Sequence, residues 1–465
     1  MIPLLGTFGT TLVIIALFRM NHGAFRVTNA VWAPYVWLLI ASSRPLSNWL
    51  SLSEPVGQAT AYIDGSPLDR SVLTALMAIG LYFLWKRQKQ TLSILSKNSA
   101  ILVYFSYCLI SALWCDYPEV LLKRWIRSLG DIVMILIIIT EPRWEEALKW
   151  LFTRISFILV PASILLIRFY PSLGRFYSRG GAPEWSGVGT DKNALGMICM
   201  LYGAGLLWYG INLYKTRKLT KRQRRELWAI AIVFMMILYL LFVVNSQTAL
   251  ACFLMSDVLV IMTAFRTFRK TVLATLVIVA MIGVCYSVLF LGIGGGALSA
   301  MGRDASLTGR TEVWKTVIPY AKNIWIGTGY ENFWVGERMA LFVRLLGGLN
   351  QAHNGYIEIY LNLGWVGLTL LGAIVLGGYW KIIKLVRNNV ESAGLRLAFF
   401  FICIVYNFTE ASFKMQSPVW IFFLWSIMGA SYIAKNTTAR NKLFPAVKPD
   451  LLNVTTRAPL HAPIS

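Results

Sequence analysis

Long apolar stretches alternate with short polar segments along almost the whole chain. A helix that crosses a lipid bilayer needs about 20 mostly apolar residues. The segments that meet or approach this length are 2–18, 29–43, 71–85, 98–114, 128–140, 148–168, 194–213, 227–244, 247–265, 271–293, 356–380, 396–413 and 417–434. The weakest of them is 128–140, and only the polar notch Asn245-Ser246-Gln247 separates two others, which predicts a tight helical hairpin. The pattern predicts an all-α, polytopic transmembrane helix bundle of about 12 helices, within a range of roughly 11 to 13.

Basic residues between the apolar segments fall on one face of the predicted bundle. The clusters are Lys86 to Lys89, the loop 214–226, Arg266 to Lys270, Lys381 to Arg387, and the tail from Lys435. Cytoplasmic loops of membrane proteins carry an excess of Lys and Arg. This face is therefore predicted to be cytoplasmic, and the other face periplasmic in a Gram-negative host, so the protein belongs in the bacterial inner membrane.

Composition supports a membrane protein. The chain has 465 residues, of which 57% are hydrophobic and 14% are charged, whereas soluble domains carry about 25% charged residues. The net charge of +23 mostly reports the orientation of the chain in the membrane. Membrane lipids are therefore the expected partners, and nucleic acid is not.

The expected organisation is one transmembrane domain over 1–435 and a cytoplasmic tail over 436–465, which is polar, contains proline and is expected to be disordered. The N-terminus is apolar without a basic leader, so it is read as a retained helix. On the outer face, long loops are candidates for function. They are 44–70, 169–193 and 294–355, the last with a helical stretch near 311–322 that is expected to fold onto the membrane surface.

Metal and disulfide chemistry have no support in the sequence. The six cysteines form no paired motif and are interpreted as small apolar residues. There is no Asp-x-Asp motif, no P-loop, no His-Glu-x-x-His motif and no cysteine-histidine cluster. A transferase built from this chain would be metal-independent and without a cofactor. Nucleotide sugars are not available outside the cytoplasm, so its donor would be lipid-linked.

His353 is the only histidine predicted on the outer face, within Gln351 to Tyr356. An imidazole can take a proton from a sugar hydroxyl near neutral pH, which makes it a candidate general base. The alternative is a histidine that caps the following helix or anchors it at the interface.

Arg310, in the segment Thr308 to Lys315, is a candidate anion-binding residue because a guanidinium can grip a phosphate with two parallel hydrogen bonds. Further outward-facing cations are Lys192, Arg303, Arg338 and Arg344. An anionic ligand would account for them. Ordinary solvated charge, or contact with lipid phosphates, is the alternative for each.

Acidic residues inside a membrane are rare and usually functional. Glu358 lies one turn into the helix after His353, and Glu410 lies at the outer end of another predicted helix. Either could shape a site at the outer face or form a structural bridge with a buried arginine. Asp257 lies far from them and is assigned no role.

Five segments in order resemble the O-antigen ligase and polymerase superfamily. They are Leu109 to Pro118, Gly187 to Gly196, Gly309 to Trp314, His353 to Glu358 with Gly364 to Leu368, and Asn407 to Ser412. Together they cover roughly residues 100–430, and their spacing is most similar to the exopolysaccharide production branch, whose members polymerise repeat units.

The resemblance implies a GT-C-like, metal-independent glycosyltransferase whose donor is a glycan on undecaprenyl pyrophosphate. It implies that His353 activates the acceptor hydroxyl and that Arg310 holds the donor pyrophosphate and stabilises charge on the leaving group. The substrate-binding candidates are Lys192, Arg303, Arg344, Glu358, Glu410, Trp314 and Asn354. A chain-length regulator protein is a candidate partner.

Two positions depart from the family pattern. Gln247 stands where a second arginine is usual, and Asp191 stands where histidine is common before Lys-Asn. A second cation would then come from Lys192, Arg303 or Arg344. Three functions follow for testing: a repeat-unit polymerase, a ligase that transfers glycan to lipid A-core or another acceptor, and a transporter or flippase. The last predicts charged residues at several depths, whereas the polar residues here cluster at one face.

Overall fold

The structure is a computed structural model of the chain, which carries no ligands. It describes residues 1–23, 25–50, 66–177, 183–216, 218–264, 308–346 and 350–432, together with residue 283. Two expectations, the apolar segment 271–293 apart from Gly283 and the tail 436–465, lie outside these residues.

Helices account for most of the described chain. In order they are α1 (Ile2–Met20), α2 (Trp32–Ala41), α3 (Leu46–Trp49), α4 (Pro67–Lys86), α5 (Gln88–Leu95), α6 (Ser99–Ile110), α7 (Pro118–Thr140), α8 (Trp144–Phe169), α9 (Pro171–Gly174), α10 (Lys192–Tyr214), α11 (Lys221–Val244), α12 (Gln247–Ala264), α13 (Thr308–Val317), α14 (Gly336–Leu345), α15 (Gly355–Arg387), α16 (Ala393–Tyr406) and α17 (Pro418–Met428). Strands β1 (Arg175–Tyr177) and β2 (Pro183–Trp185) form a small antiparallel pair.

Seven helices of the described part are long and apolar enough to cross a membrane, namely α1, α4, α8, α10, α11, α12 and α15. An eighth span results if α5 and the segment Ser99–Leu113, which are bent by 85°, count as one. Large apolar side chains such as Phe8, Trp85 and Phe242 are exposed on these helices. A protein surface of this kind requires lipid as its solvent, so the chain is a multi-pass membrane protein.

Every predicted apolar segment within the described residues coincides with a helix, but two boundaries differ. The weak segment 128–140 is the second half of the longer helix α7, whose first half is polar. The segment 396–413 is helical only as far as Tyr406, and a polar loop follows up to Ser417. Asn407 ends the helix because its side-chain oxygen accepts the backbone N–H groups of Ser412 and Phe413, which closes a turn.

The centre of the bundle is packed with aromatic rings. Phe422 of α17 stacks on Phe152 of α8 at 5.4 Å and on Phe399 of α16 at 4.8 Å between ring centroids. Tyr202 of α10 meets Phe422 edge-on and shares a 2.6 Å hydrogen bond with Ser42. Aromatic contacts of this type add to the apolar packing. These contacts pack α8, α10, α16 and α17 around one core. The packed core gives the ends of these helices fixed positions, and we call this group of helices the frame.

The two ends of this frame differ in charge. Helices α10 and α15 run from one end, where they begin at Lys192 and Gly355, to the other, where basic residues follow them. Helices α11 and α16 return from the basic end and finish at Val244 and Tyr406. The end without the basic loops therefore collects the start of α10, the α11–α12 turn, the start of α15 and the loop after α16.

Candidate active site

Several segments at this end of the bundle meet at Glu410. It lies in the loop after α16 rather than in a helix, and only 7% of its surface is exposed. Four segments that are distant in sequence contact it or its immediate neighbours. We call Glu410 and the residues that contact its carboxylate the Glu410 cluster. They are Arg310, His353 and Asn193.

Two donors share one oxygen of the Glu410 carboxylate. Nη2 of Arg310 lies 3.0 Å from Oε1, and Nδ2 of Asn193 lies 2.9 Å from the same atom. Arg310 lies in the first turn of α13, and its side chain keeps 27% exposure. The guanidinium is therefore anchored on one side and open to solvent on the other. An anchored guanidinium with free N–H groups can bind a further anion.

His353 contacts the other oxygen. Its Nδ1 lies 3.6 Å from Oε2 of Glu410, and its side chain is 22% exposed. This distance is longer than a hydrogen bond, and Nδ1 has no hydrogen-bond partner within the described residues. A carboxylate next to one ring nitrogen can hold a histidine in the tautomer whose second nitrogen accepts a proton. Catalytic hydrogen bonds are often long before substrate binds.

The backbone around His353 is fixed by the start of α15. The side-chain oxygen of Asn354 accepts the N–H groups of Tyr356 and Ile357, which caps the helix, and its Nδ2 donates to the carbonyl of Phe408. The N–H of Gly355 donates to the carbonyls of Asn407 and Glu410, at 2.8 and 3.1 Å. The loop that carries Glu410 and the helix that follows His353 are therefore joined through the backbone.

Trp314 and Glu358 position the same segment from the other side. The indole of Trp314, one turn after Arg310, donates to the carbonyl of Ala352 at 2.7 Å. The Glu358 carboxylate accepts the N–H of Ala352 at 2.5 Å and the indole of Trp334 at 2.8 Å. These contacts hold the residue before His353 at both its N–H and its carbonyl. Both residues were expected to bind substrate, and both have structural contacts here.

The α11–α12 turn also reaches the cluster. Ser246 donates to Oδ1 of Asn193 at 3.2 Å, and Thr248 shares a 2.9 Å hydrogen bond with Thr409, the residue before Glu410. The polar notch is therefore part of the site, as its family resemblance implies. Gln247 begins α12 between these two contacts, where the resemblance expects an arginine.

The remaining predicted cations do not join the cluster. Lys192 is adjacent to Asn193 but pairs with Glu184 at 2.5 Å. Arg344 donates to the carbonyl of Ala340 in its own helix, and no contact in the described part of the chain joins it to Glu410. Arg338 pairs with Asp116 at 2.6 Å. Arg303 lies outside the described residues.

Strained backbone is concentrated at this end of the molecule. Among the described residues, five non-glycine residues have a positive φ angle, and four of them lie in connecting segments at this end of the molecule: Asn245, Glu331, His353 and Gln416. Each left-handed residue costs on the order of 1 kcal/mol, and such residues gather at functional sites. His353 itself has a φ of +50°.

Part of the chain is similar in sequence to known proteins. Residues 232–372 match the family described as O-antigen ligase. That range contains Ser246, Arg310 and His353, three of the positions assembled here. This match covers about a third of the chain and supports its resemblance to the O-antigen ligase and polymerase superfamily. The chain is also 28% identical over 159 residues to the exopolysaccharide production protein ExoQ of Rhizobium meliloti (strain 1021). That similarity spans 32% of this chain and 36% of the relative, about a third of each protein.

Two of the segments that resemble superfamily motifs make structural contacts in this fold. In the segment Leu109 to Pro118, the Trp114 indole donates to the carbonyl of Ile326, and Asp116 pairs with Lys322 at 2.8 Å. At Gly364, φ is +63° and an added Cβ would lie 2.3 Å from the Trp325 backbone. The glycine lets the outer loop pack against a break in α15. Contacts of these two segments therefore hold the outer loop against the helices.

Asn193 is the member of the cluster that sequence reasoning missed. It lies in the segment Gly187 to Gly196, where the charge of the neighbouring Lys192 made that residue the predicted anion-binding candidate. The sequence did contain an indication of this role. Asp191 is a favoured helix N-cap residue, which places the Asn193 amide in the first turn of an apolar helix, at the end of the bundle. The structure has Asp191 as that cap, accepting the N–H groups of Asn193 and Ala194.

Proposed function

We propose that the protein is a metal-independent glycosyltransferase that polymerises oligosaccharide repeats carried on undecaprenyl pyrophosphate, at the periplasmic face of the inner membrane. The observation that carries this proposal is that His353 and Arg310 contact opposite oxygens of the Glu410 carboxylate, at 3.6 and 3.0 Å. A base and a cation within reach of one substrate are what glycosyl transfer from a pyrophosphate requires.

The reaction assigns one task to each group. His353 accepts the proton of the acceptor hydroxyl, and the hydroxyl oxygen forms a bond to the anomeric carbon of the donor sugar. The bond between that carbon and the pyrophosphate oxygen breaks, and its electron pair leaves with the pyrophosphate. Arg310 stabilises the negative charge that develops on the leaving group, where a fixed cation contributes most to rate. Lipid pyrophosphate is released, and the proton leaves from His353 to solvent.

Glu410 prepares both groups for this step. Its carboxylate compensates the Arg310 charge while the site is empty and stabilises the imidazolium that forms when His353 takes the proton. Because both partners are partly exposed, a pyrophosphate can approach Arg310 from the open side without displacing the anchor. The rest of the machinery is proposed to be a GT-C-like bundle of about 12 helices.

The basic residues at one end of the helices support a periplasmic location of the Glu410 cluster, which lies at the other end. The Glu410 cluster lies at the end of α10 and α15 opposite the segments that carry Lys215, Arg222 and Arg387. By the positive-inside rule, that opposite end is cytoplasmic. The donor must then be carried across the membrane on a lipid, and a chain-length regulator is proposed as a further partner.

The test uses a deletion strain that expresses the wild type, His353→Ala or Arg310→Ala. Each variant is expected to abolish polymer while its amount in the membrane, measured by immunoblot, stays at the wild-type level. His22→Ala and Arg224→Ala, at the basic end, are matched controls and are expected to retain polymer. Normal polymer from both site variants would contradict the proposal.

The second candidate is a ligase, and the match to the O-antigen ligase family favours it. The deletion strain separates the two activities. Loss of a polymerase leaves single repeats on the lipid carrier, whereas loss of a ligase leaves lipid-linked polymer together with an unmodified lipid A-core or other acceptor.

A further inference from the structure

A narrow pocket opens beside the Glu410 cluster. It lies between the outer loop, the segment before His353 and the loop that carries Glu410. We call it the Glu331 pocket. Its lining residues with polar side chains are Tyr330, Glu331, Trp334, Asn350, Gln351, Glu358, Asn362 and Lys414. Its apolar lining residues are Ile359, Phe413 and Ala411, which is next to Glu410.

Four polar side chains of this pocket make no hydrogen bond within the described residues, namely Glu331, Asn350, Gln351 and Lys414. Glu331 does interact electrostatically with Lys414 and with Arg124. The other polar residues are occupied. The Glu358 carboxylate accepts from Ala352 and Trp334, and both side-chain atoms of Asn362 are bonded. The pocket thus presents one carboxylate, two amides and one ammonium to whatever enters it.

These groups match the chemistry of a sugar. Each sugar hydroxyl both donates and accepts hydrogen bonds, so a mixture of carboxylate, amide and ammonium groups satisfies several of them at once. Tyr330, Trp334 and Phe413 are buried at the pocket wall and offer apolar surface to the C–H groups of a ring. The free volume is about 30 Å³, which admits roughly two water-sized groups. A ring edge with its hydroxyls fits, and a whole residue does not.

We propose that the Glu331 pocket binds the hydroxyl-bearing edge of the acceptor sugar. The inference rests on the proposed function and adds a place for the acceptor. Gln351 lies two residues before His353, so a sugar held here lies next to the base. The cation that lines the pocket, Lys414, interacts with the Glu331 carboxyl, so a pyrophosphate is expected to bind at Arg310 instead. The donor phosphate and the acceptor sugar would then contact different residues of the site.

The test uses the full-length protein in proteoliposomes, with lipid-linked repeats extracted from the deletion strain as substrate. One probe is the free repeat oligosaccharide, released from host polymer by partial acid hydrolysis and labelled at its reducing end. The other probe is undecaprenyl pyrophosphate without glycan, added as an inhibitor. In Glu331→Gln, the oligosaccharide concentration for half-maximal extension is expected to rise about tenfold, because an accepting carboxylate is replaced. The maximal rate and the inhibition by undecaprenyl pyrophosphate are expected to stay within about twofold of the wild type.

Glu337→Gln is the matched control, because Glu337 is exposed in the first turn of α14 and does not line the pocket. It is expected to leave every constant unchanged. An unchanged half-maximal concentration in Glu331→Gln, with an active wild type, overturns the subsite. Inhibition by the oligosaccharide without its extension overturns the acceptor assignment. The activity of the wild-type protein is measured before the variants are compared. A wild-type protein that makes no polymer from the lipid-linked repeats contradicts the proposed function itself.

Discussion

Oε2 of Glu410 lies 3.6 Å from Nδ1 of His353, although 57 residues and helices α15 and α16 separate the two in the chain. The backbone also joins the two segments, since the N–H of Gly355, two residues after His353, donates to the carbonyl of Glu410. The carboxylate and the imidazole are therefore held where these two segments meet. The same carboxylate anchors Arg310, so a change at Glu410 reaches both proposed catalytic groups.

Glu410→Gln is expected to lower polymer synthesis by about tenfold to a hundredfold, because a hydrogen bond to a charged group contributes about 1.5–3 kcal/mol. The amide keeps the shape of the side chain but neither balances Arg310 nor stabilises a protonated His353. The measurement is the initial rate in proteoliposomes, with Glu337→Gln as control. A wild-type rate in Glu410→Gln would remove the carboxylate from the proposed mechanism.

The contact of Asn193 with Glu410 predicts that variants at this position differ in activity in a definite order. Asn193→Ala loses the donor to Glu410 and is expected to reduce activity by roughly tenfold. Asn193→Asp is expected to be worse, because it brings a second negative charge to the carboxylate that Nδ2 now contacts at 2.9 Å. Polymer yield per amount of membrane protein measures both. Asn212→Ala, at the other end of α10, is the control, and equal activity of the alanine and aspartate variants would contradict the electrostatic argument.

Gly355 and Gly372 lie in the same helix but differ in their surroundings. A Cβ at Gly355 would lie 2.0 Å from Oδ1 of Asn407, whereas one at Gly372 would meet nothing within 4 Å. Gly355→Ala is expected to shift the Glu410 loop, lower the unfolding temperature in detergent and abolish polymer. Gly372→Ala is expected to keep activity and to gain up to about 1 kcal/mol from helix propensity. Active Gly355→Ala protein would show that the loop tolerates displacement.

Glu331 predicts a dependence of stability on pH. Burial raises the pKa of its carboxyl above the ordinary value of 4.5, although Arg124 and Lys414 lower it in part. The folded protein therefore holds this proton more tightly than the unfolded chain, and the resulting stability is present below pH 4.5 and lost as pH rises through the folded pKa.

Glu331→Gln removes this titration. Its unfolding temperature in detergent is expected to fall less than that of the wild type as pH is raised from 4.5 to neutral, and to be higher at neutral pH. Glu337→Gln should keep the wild-type slope. A variant that is more stable yet binds the oligosaccharide less well has lost a group kept for function. Parallel pH curves for Glu331→Gln and wild type would contradict the expectation.

Apolar runs were enough to predict the helices within the described residues, because lipid leaves few alternatives for a backbone whose polar groups must be satisfied internally. The same reasoning placed Arg310 and His353 on one face. It also extended a helix to 413, because residues 407–413 are only moderately polar and the turn closed by Asn407 depends on side-chain geometry that periodicity does not reveal.

The sequence by itself determined that this protein spans the membrane repeatedly and that its rare outer-face histidine and arginine were candidates for chemistry. Only the tertiary structure decided that Glu410 joins them, that Asn193 rather than Lys192 contacts it, and that Glu331 lines a pocket beside them. The physical reason is that helix formation in lipid follows from local composition, whereas a site of this kind is assembled from helix ends that packing brings together across more than 200 residues.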